Sequence, residues 1–311
     1  MTYGTHHFDG NARNQGILIN INGELFPRDD AKVSVFDSGY ILGDGVWEGI
    51  RLHNGKLFHI RQHLRRLYEG AKALDMEIGL EQDELQQRIE DTCAANSMQS
   101  GVHIRLMVTR GIKATPYQDP RITISPPTIV IIPEYKAPLA STLAKGIRLF
   151  TVHVRRGYPD VQDQKLNSHS KLNCITACIQ AAKAGADEAL MLDPHGFVAT
   201  CNSTHFFIVR DGEVWTSSGD YCLGGITRRT VIDLCRENRI PVFEKSFSLT
   251  DVYGADEAFV TGTFAGVAPV AEVDGRMLGE RKAEDEFRCG PVVTQLQDLY
   301  LQLLEAECAG G

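Results

Sequence analysis

The chain has 311 residues, more than one hydrophobic core usually organises, so two domains of roughly 130 to 170 residues are expected. Hydrophobic residues make up 43% and charged residues 23%, an ordinary globular balance that excludes a fibre or a largely disordered chain. A formal net charge of −8 argues against the dense Lys/Arg face that nucleic acid or an anionic membrane would require as partner.

The opening MTYGTHHFDGNARNQG has no apolar core of signal-peptide length, and its first fifteen residues read as a partly mobile arm. No stretch reaches the roughly 18 uninterrupted apolar residues of a membrane span, so a cytoplasmic protein is expected. Residues 16–35 read as short strands around the turn Asn22-Gly23, a pair that favours a type I′ hairpin. Helices are predicted over 61–74, where Leu64, Leu67, Ala71 and Leu74 form one stripe, and over 81–96. HIRLMVTRG and TIVIIPEY read as strands, which makes the first half α+β.

Between residues 133 and 146 the composition loosens, and 136–146 is the candidate linker. The strand IRLFTVHV follows, then the polar loop GYPDVQDQKLNSHS and a helix near 172–184. EALMLD and GFVATCNSTHFFIV read as two strands joined by the turn Pro194-His195-Gly196. ITRRTVIDLCREN reads as a helix after Gly224-Gly225, and EAFVTGTFAGVAPVAEVDG closes the set with strands. The eight cysteines are scattered and lack CxxC pairs. Free thiols are therefore expected; Cys174 and Cys178, one helical turn apart, are two ligands and not a metal site.

Three stretches carry chemistry. VFDSGYILGDGVWEGIR, residues 35–51, holds Gly39, Gly43, Gly45 and Gly49, which permit tight turns and close backbone approach. In LGGITRRTVIDL, residues 223–234, Gly224 and Gly225 precede a helix whose first amides, at Ile226 and Thr227, lack intrahelical acceptors; the helix dipole there favours an anion. DQKLNSHSKLNCITACIQAAKAG offers two lysines, Lys165 and Lys171, each followed by Leu-Asn. Lys171 stands beside the predicted helix start, with Ser170 a candidate N-cap.

These strings, continued by LHNGKLFHIRQHLRRLYEGAKAL, resemble the class IV (fold-type IV) aminotransferases, the branched-chain and D-amino-acid aminotransferase-like pyridoxal enzymes, over residues 17–303. The resemblance implies an α/β (α+β) fold with a small N-terminal α/β domain, 1–135, and a larger C-terminal pseudo-barrel α/β domain, 147–311, that carries the cofactor lysine. It implies pyridoxal 5'-phosphate held as a Schiff base by a lysine that later shuttles a proton at the substrate carbon. Lys171 is the expected lysine, although an ungapped count back from DEALMLD lands near Asn167, between the two candidates.

By the same resemblance Arg66, of an Arg-Leu pair, binds the cofactor phosphate, a task that suits a planar guanidinium. Gly225, Ile226, Thr227 and Thr263 are its other expected contacts. On the substrate side Arg105, in HIRLM, matches a carboxylate-binding arginine of branched-chain enzymes. Tyr40, Trp47, Arg51, Phe264 and Ala265 are expected to line the pocket. Thr115 and Tyr117 stand where the D-amino-acid enzymes carry an arginine and a histidine, which weakens that reading. Arg110, in VTRG, keeps an (R)-amine transaminase open.

One position departs from the pattern. Relatives carry a Glu that pairs with the protonated pyridine nitrogen, and the alignment puts Thr200 there. A hydroxyl cannot compensate a buried positive charge, so the ring nitrogen is expected to stay neutral. The resemblance therefore implies a transaminase moving an amino group between a branched-chain-like amino acid or an amine and a 2-oxo acid. The alternative is a lyase similar to aminodeoxychorismate lyase, favoured by Thr200. A third reading, a scaffold that binds without catalysis, is opposed by Arg66, Thr227, Thr263 and the two lysines. A homodimer is implied by the resemblance alone.

Overall fold

The structure is a computed structural model that describes Thr5, residues 10–278 and residues 289–309. The described chain forms two compact units. The first holds residues 10–137, 166–171 and 306–309; the second holds Thr5, 138–165, 172–278 and 289–305.

The first unit is built from β1 (Leu18–Ile21), β2 (Glu24–Pro27), α1 (Ser38–Leu42), β3 (Gly45–His53), β4 (Lys56–Leu57), α2 (Ile60–Ala73), α3 (Gln82–Ala95), β5 (Val102–Thr109) and β6 (Thr128–Tyr135). Its sheet runs β2-β1-β6-β5-β3-β4, antiparallel throughout. Asn22 and Gly23 both have positive φ, 55° and 97°, as the expected hairpin turn requires. In β5, Val102, Ile104, Leu106 and Val108 are buried while His103, Arg105 and Met107 are half-buried, so alternate residues take opposite faces. Leu64, Leu67 and Ala71 of α2 and Leu85 and Ile89 of α3 pack with Val46, Ile50, Ile104 and Leu106 in one core. The Glu84 carboxylate accepts from the Glu81 amide at 2.8 Å and closes the first turn of α3.

The expected mobile arm is corrected where it is described. Residues Ala12–Gly16 form a 3-10 turn. Asn14 is buried there, donating to the Tyr135 carbonyl at 3.0 Å and accepting from its amide at 2.8 Å. Residues 1–4 and 6–9 of that expectation lie outside the described residues.

The second unit holds α4 (Ala140–Lys145), β7 (Ile147–Thr151), α5 (Pro159–Gln162), α6 (Leu172–Lys183), β8 (Glu188–Leu192), β9 (Val198–Cys201), β10 (His205–Arg210), β11 (Glu213–Thr216), α7 (Ile226–Glu237), β12 (Val242–Glu244), α8 (Leu249–Tyr253), β13 (Glu257–Gly262), β14 (Gly266–Val273) and β15 (Arg276–Met277). The helix α9 (Pro291–Glu307) follows. The mixed sheet runs β12-β11-β10-β13-β14-β7-β8-β9, with β15 on β14. Pairs β11/β12, β14/β7 and β7/β8 are parallel. Every residue of β8 and β9 is buried, as expected for strands covered on both faces.

Three sequence expectations change here. The candidate linker carries the short helix α4. GFVATCNSTHFFIV is two strands, because Thr204 turns its carbonyl back to the Cys201 amide at 2.9 Å and the Asn202 side chain accepts from the Ala189 amide at 2.7 Å. The helix α9 was not foreseen, although its buried Val293, Leu296, Tyr300 and Leu304 recur at helical spacing. Its first turn is held by Glu257, which accepts from the amides of Val292 and Val293 at 3.1 and 2.9 Å.

Candidate active site

In the first unit the segment 166–171 lies along β3 as an added edge. The Trp47 amide donates to the Asn167 carbonyl at 3.0 Å, the His169 amide donates to the Gly45 carbonyl at 2.9 Å, and Val46 and Ser168 form an antiparallel bridge. Side chains reinforce the ladder. Asn167 Nδ2 donates to the Trp47 carbonyl at 2.6 Å, Trp47 Nε1 to the Ser168 carbonyl at 3.1 Å, and Ser170 Oγ to the Gly43 carbonyl at 3.2 Å. Lys171, the last residue of the segment, donates from Nζ to Asn167 Oδ1 at 3.1 Å, 5.3 Å from the centre of the Trp47 ring.

The glycines of the 35–51 stretch make room for this segment. A Cβ at Gly45 would lie 2.5 Å from the Val108 carbonyl oxygen and 3.1 Å from His169 Cε1. One at Gly43, where φ is +70°, would lie 2.8 Å from Ser170 Oγ. Gly45→Ala is therefore expected to force two strands apart and cost about 1–3 kcal/mol. Thermal melts check this, and an unchanged Tm would remove the role given to Gly45.

Arg105 and Lys171 both face the Trp47 ring. The Arg105 guanidinium, on β5 opposite Gly49, lies 3.8 Å from the Trp47 ring centre in cation–π geometry. Burial pulls the Arg105 pKa below its usual value, with Glu134 opposing. Burial also pulls the His169 imidazole below its usual range; its bond to the Val46 carbonyl and the Asp37 charge oppose this, while Arg105 and Lys171 add to it. The balance favours the neutral imidazole.

A second cluster occupies the opposite face of β3. Glu48, fully buried, meets α2: Arg66 donates from Nε to Oε1 at 2.8 Å and from Nη2 to Oε2 at 2.7 Å, and His63 Nδ1 lies 2.7 Å from Oε2. Burial would raise the Glu48 pKa, but the Arg66 charge and the hydrogen bonds from His63 and Arg66 outweigh it and hold the carboxyl below its usual range. Glu48 and His63 were not singled out from sequence. The signal was present, since a Glu on the apolar face of a strand needs a cationic partner.

In the second unit, α7 begins at Ile226 with Gly225 at the N-cap and no side-chain cap. A Cβ on Gly225 would lie 2.2 Å from His205 Nε2, so only glycine brings this backbone against the imidazole. His205 pairs across the sheet with Thr261, whose buried hydroxyl has no partner among the described residues. Thr227 is buried in the first turn. An uncapped helix start, a buried Thr and an orphaned hydroxyl are a donor set that fits a phosphate group. Phe264 and Ala265 are buried and Thr263 half-buried in the turn between β13 and β14. Thr200, on β9, donates its hydroxyl proton to the Thr204 carbonyl at 2.9 Å, which leaves its oxygen as an acceptor.

Tyr40 is 73% exposed on α1, Lys165 is exposed, and Arg51 is half-buried on the Trp47 face of β3. Arg110 is held by Asp44 at 2.7 Å and by the Leu74 carbonyl at 2.7 Å.

The model of the family "Amino-transferase class IV" matches residues 45–273, from the start of β3 to the end of β14. The chain belongs to the class IV aminotransferases. Among relatives of this family, the putative branched-chain-amino-acid aminotransferase of Methanocaldococcus jannaschii is 42% identical over 85% of this chain and 90% of its own. The branched-chain-amino-acid aminotransferase-like protein 2 of Arabidopsis thaliana is 39% identical over 94% of this chain and 51% of its own, so this chain spans about half the length of that relative. The solved branched-chain aminotransferase of the thermophilic archaeon Thermoproteus uzoniensis, with norvaline, superposes with a TM-score of 0.82 at 30% identity, over 94% of this chain and 95% of its own. Its class IV fold agrees with the mixed α/β architecture described above. Aminotransferases are what these relatives are named as, and the lyase alternative raised by Thr200 is not favoured.

Proposed function

We propose that this chain is a pyridoxal 5'-phosphate-dependent transaminase, moving the amino group of a branched-chain-like amino acid to a 2-oxo acid. The observation that carries the reading is the Lys171 amine, fixed by Asn167 beside the Trp47 ring on a segment tied to β3. A bound pyridoxal phosphate would supply an aldehyde that exchanges amines and a ring that delocalises the electron pair left at the substrate carbon. Lys171 Nζ is the group that anchors it and that, when free, takes the proton from the substrate α-carbon. By resemblance to the family, Arg66, held by Glu48 in the first unit, and separately the α7 start with Thr227 in the second are each assigned to the cofactor phosphate. Arg105 binds the substrate carboxylate, and Trp47 presents an apolar wall to the side chain.

The test is a panel of L-amino acids, D-amino acids and (R)-amines with 2-oxoglutarate as acceptor. Keto-acid formation from L-leucine, L-isoleucine and L-valine is expected to exceed that from the other donors by about tenfold or more. Pyruvate release without an acceptor, or no turnover of any donor, would overturn the reading.

We also place the enzyme in a reducing, cytoplasmic setting as a homodimer. All eight cysteines are described, and none is in a disulfide. No helix among the described residues is long and apolar enough to cross a membrane. Val33, Val35, Phe36, Tyr40 and Leu42 are exposed, an apolar run that a second copy would cover.

A further inference from the structure

The segment that carries Lys171 contains a side chain whose two ends do different work. Asn167 is buried, with its amide nitrogen 2.6 Å from the Trp47 carbonyl and its amide oxygen 3.1 Å from Lys171 Nζ. The donor end is tied to the backbone of β3, so the carboxamide cannot rotate without losing a buried hydrogen bond. The acceptor end is thereby aimed at the lysine. Its own backbone carbonyl accepts from the Trp47 amide at 3.0 Å, which fixes the main chain under the side chain as well. Lys171 is four residues further on, and the intervening Ser168, His169 and Ser170 are each bonded to β3 or to the glycine turn before it.

The geometry points to Asn167 as the positioning residue for Lys171: its carboxamide oxygen holds the lysine nitrogen in its protonated form and sets the direction from which that nitrogen works. This rests on the reading of Lys171 as the cofactor lysine. Arg105 on β5 faces the same Trp47 ring as the lysine nitrogen, and His169, on the same segment, feels the charges of Lys171, Arg105 and Asp37, the last ahead of α1. The Arg105 charge, on the ring that also faces the lysine nitrogen, disfavours a protonated lysine. A neutral acceptor at hydrogen-bond distance therefore matters more than it would on a surface. Asn is suited to the position because one planar group supplies both the anchoring donor and the aimed acceptor.

The test uses the cofactor-loaded protein and two variants. Asn167→Asp places a carboxylate where the amide oxygen stood, so the apparent pKa of the visible cofactor band is expected to move up by about one unit. Asn167→Leu removes the acceptor and is expected to move it down by a similar amount. A purely structural role would not produce two shifts of opposite sign. Borohydride reduction of all three proteins followed by peptide mapping identifies the labelled lysine. Label on Lys171 with both shifts supports the proposal. Label on Lys171 with a wild-type band pKa in the variants overturns it and leaves the Lys171 reading standing. Label on Lys165, or no label, overturns both. If the Leu variant does not fold, the near-isosteric Asp variant still decides, since an unmoved or lowered band pKa in it overturns the proposal.

Discussion

Lys171→Ala is expected to abolish the visible cofactor band and borohydride labelling, and to lower kcat/KM for the best donor by about 10⁴-fold or more. Two lysines six positions apart compete for this role, and their surroundings differ. Lys165 is exposed, in a turn where its own backbone amide bonds Asp163 Oδ1 at 2.8 Å. Lys171 is half-buried, with Nζ bonded to Asn167 and a tethered backbone behind it. Covalent catalysis needs an amine held within bonding reach of one point, and a solvated side chain loses most of that advantage to its own freedom. Lys165→Ala should therefore stay within about twofold of wild type, a change no larger than that of an ordinary surface substitution. A loss of labelling in Lys165→Ala and its retention in Lys171→Ala would reverse the assignment.

Arg66→Met is expected to weaken cofactor binding by about 100-fold, the scale of a charge-assisted hydrogen bond to phosphate. It should also destabilise the fold at pH 7 by about 3–5 kcal/mol, because it removes both Arg66 bonds to the buried Glu48 and leaves His63 as its partner among the described residues. The pH dependence separates the two effects. In wild type the Glu48 pKa is lowered on folding, so its stabilising contribution is present above the unfolded value and is lost as pH falls through the folded one. Without Arg66 the largest influence on Glu48 is burial, which raises its pKa. The variant should then lose stability as pH rises through that raised value, opposite to wild type. Denaturant melts at pH 5 and pH 8, read beside cofactor titrations, measure both. Adding Glu48→Gln to Arg66→Met removes the orphaned charge and should restore much of the stability but none of the cofactor affinity. Equal stability at both pH values in the single variant would show that Glu48 does not depend on Arg66.

Much of this was legible before any coordinates. The Asn-Gly hairpin, the strand β5, the stripe of α2, the helix α3 and the glycine-led start of α7 follow from local rules of sterics and periodicity. The strings around Gly45, Arg66, Lys171 and Gly225 were enough to suggest the family. The break after Cys201 was missed because it depends on Asn202 bonding β8, thirteen residues back, which no local pattern announces. Residue type also left the role of Thr200 open: a hydroxyl can donate or accept, and only the Thr204 carbonyl decides that its proton is already committed.

Sequence alone determined many of the strands and helices, which of their faces are apolar and which glycines can bring two backbones together, since those depend on neighbours within a few positions. Tertiary structure decided the partnerships: Glu48 with an arginine 18 residues away and Asn167 with a tryptophan 120 residues away. Buried charges and buried amides must find partners wherever the folded sheet delivers them. That delivery is a property of the closed core and is not written at either residue.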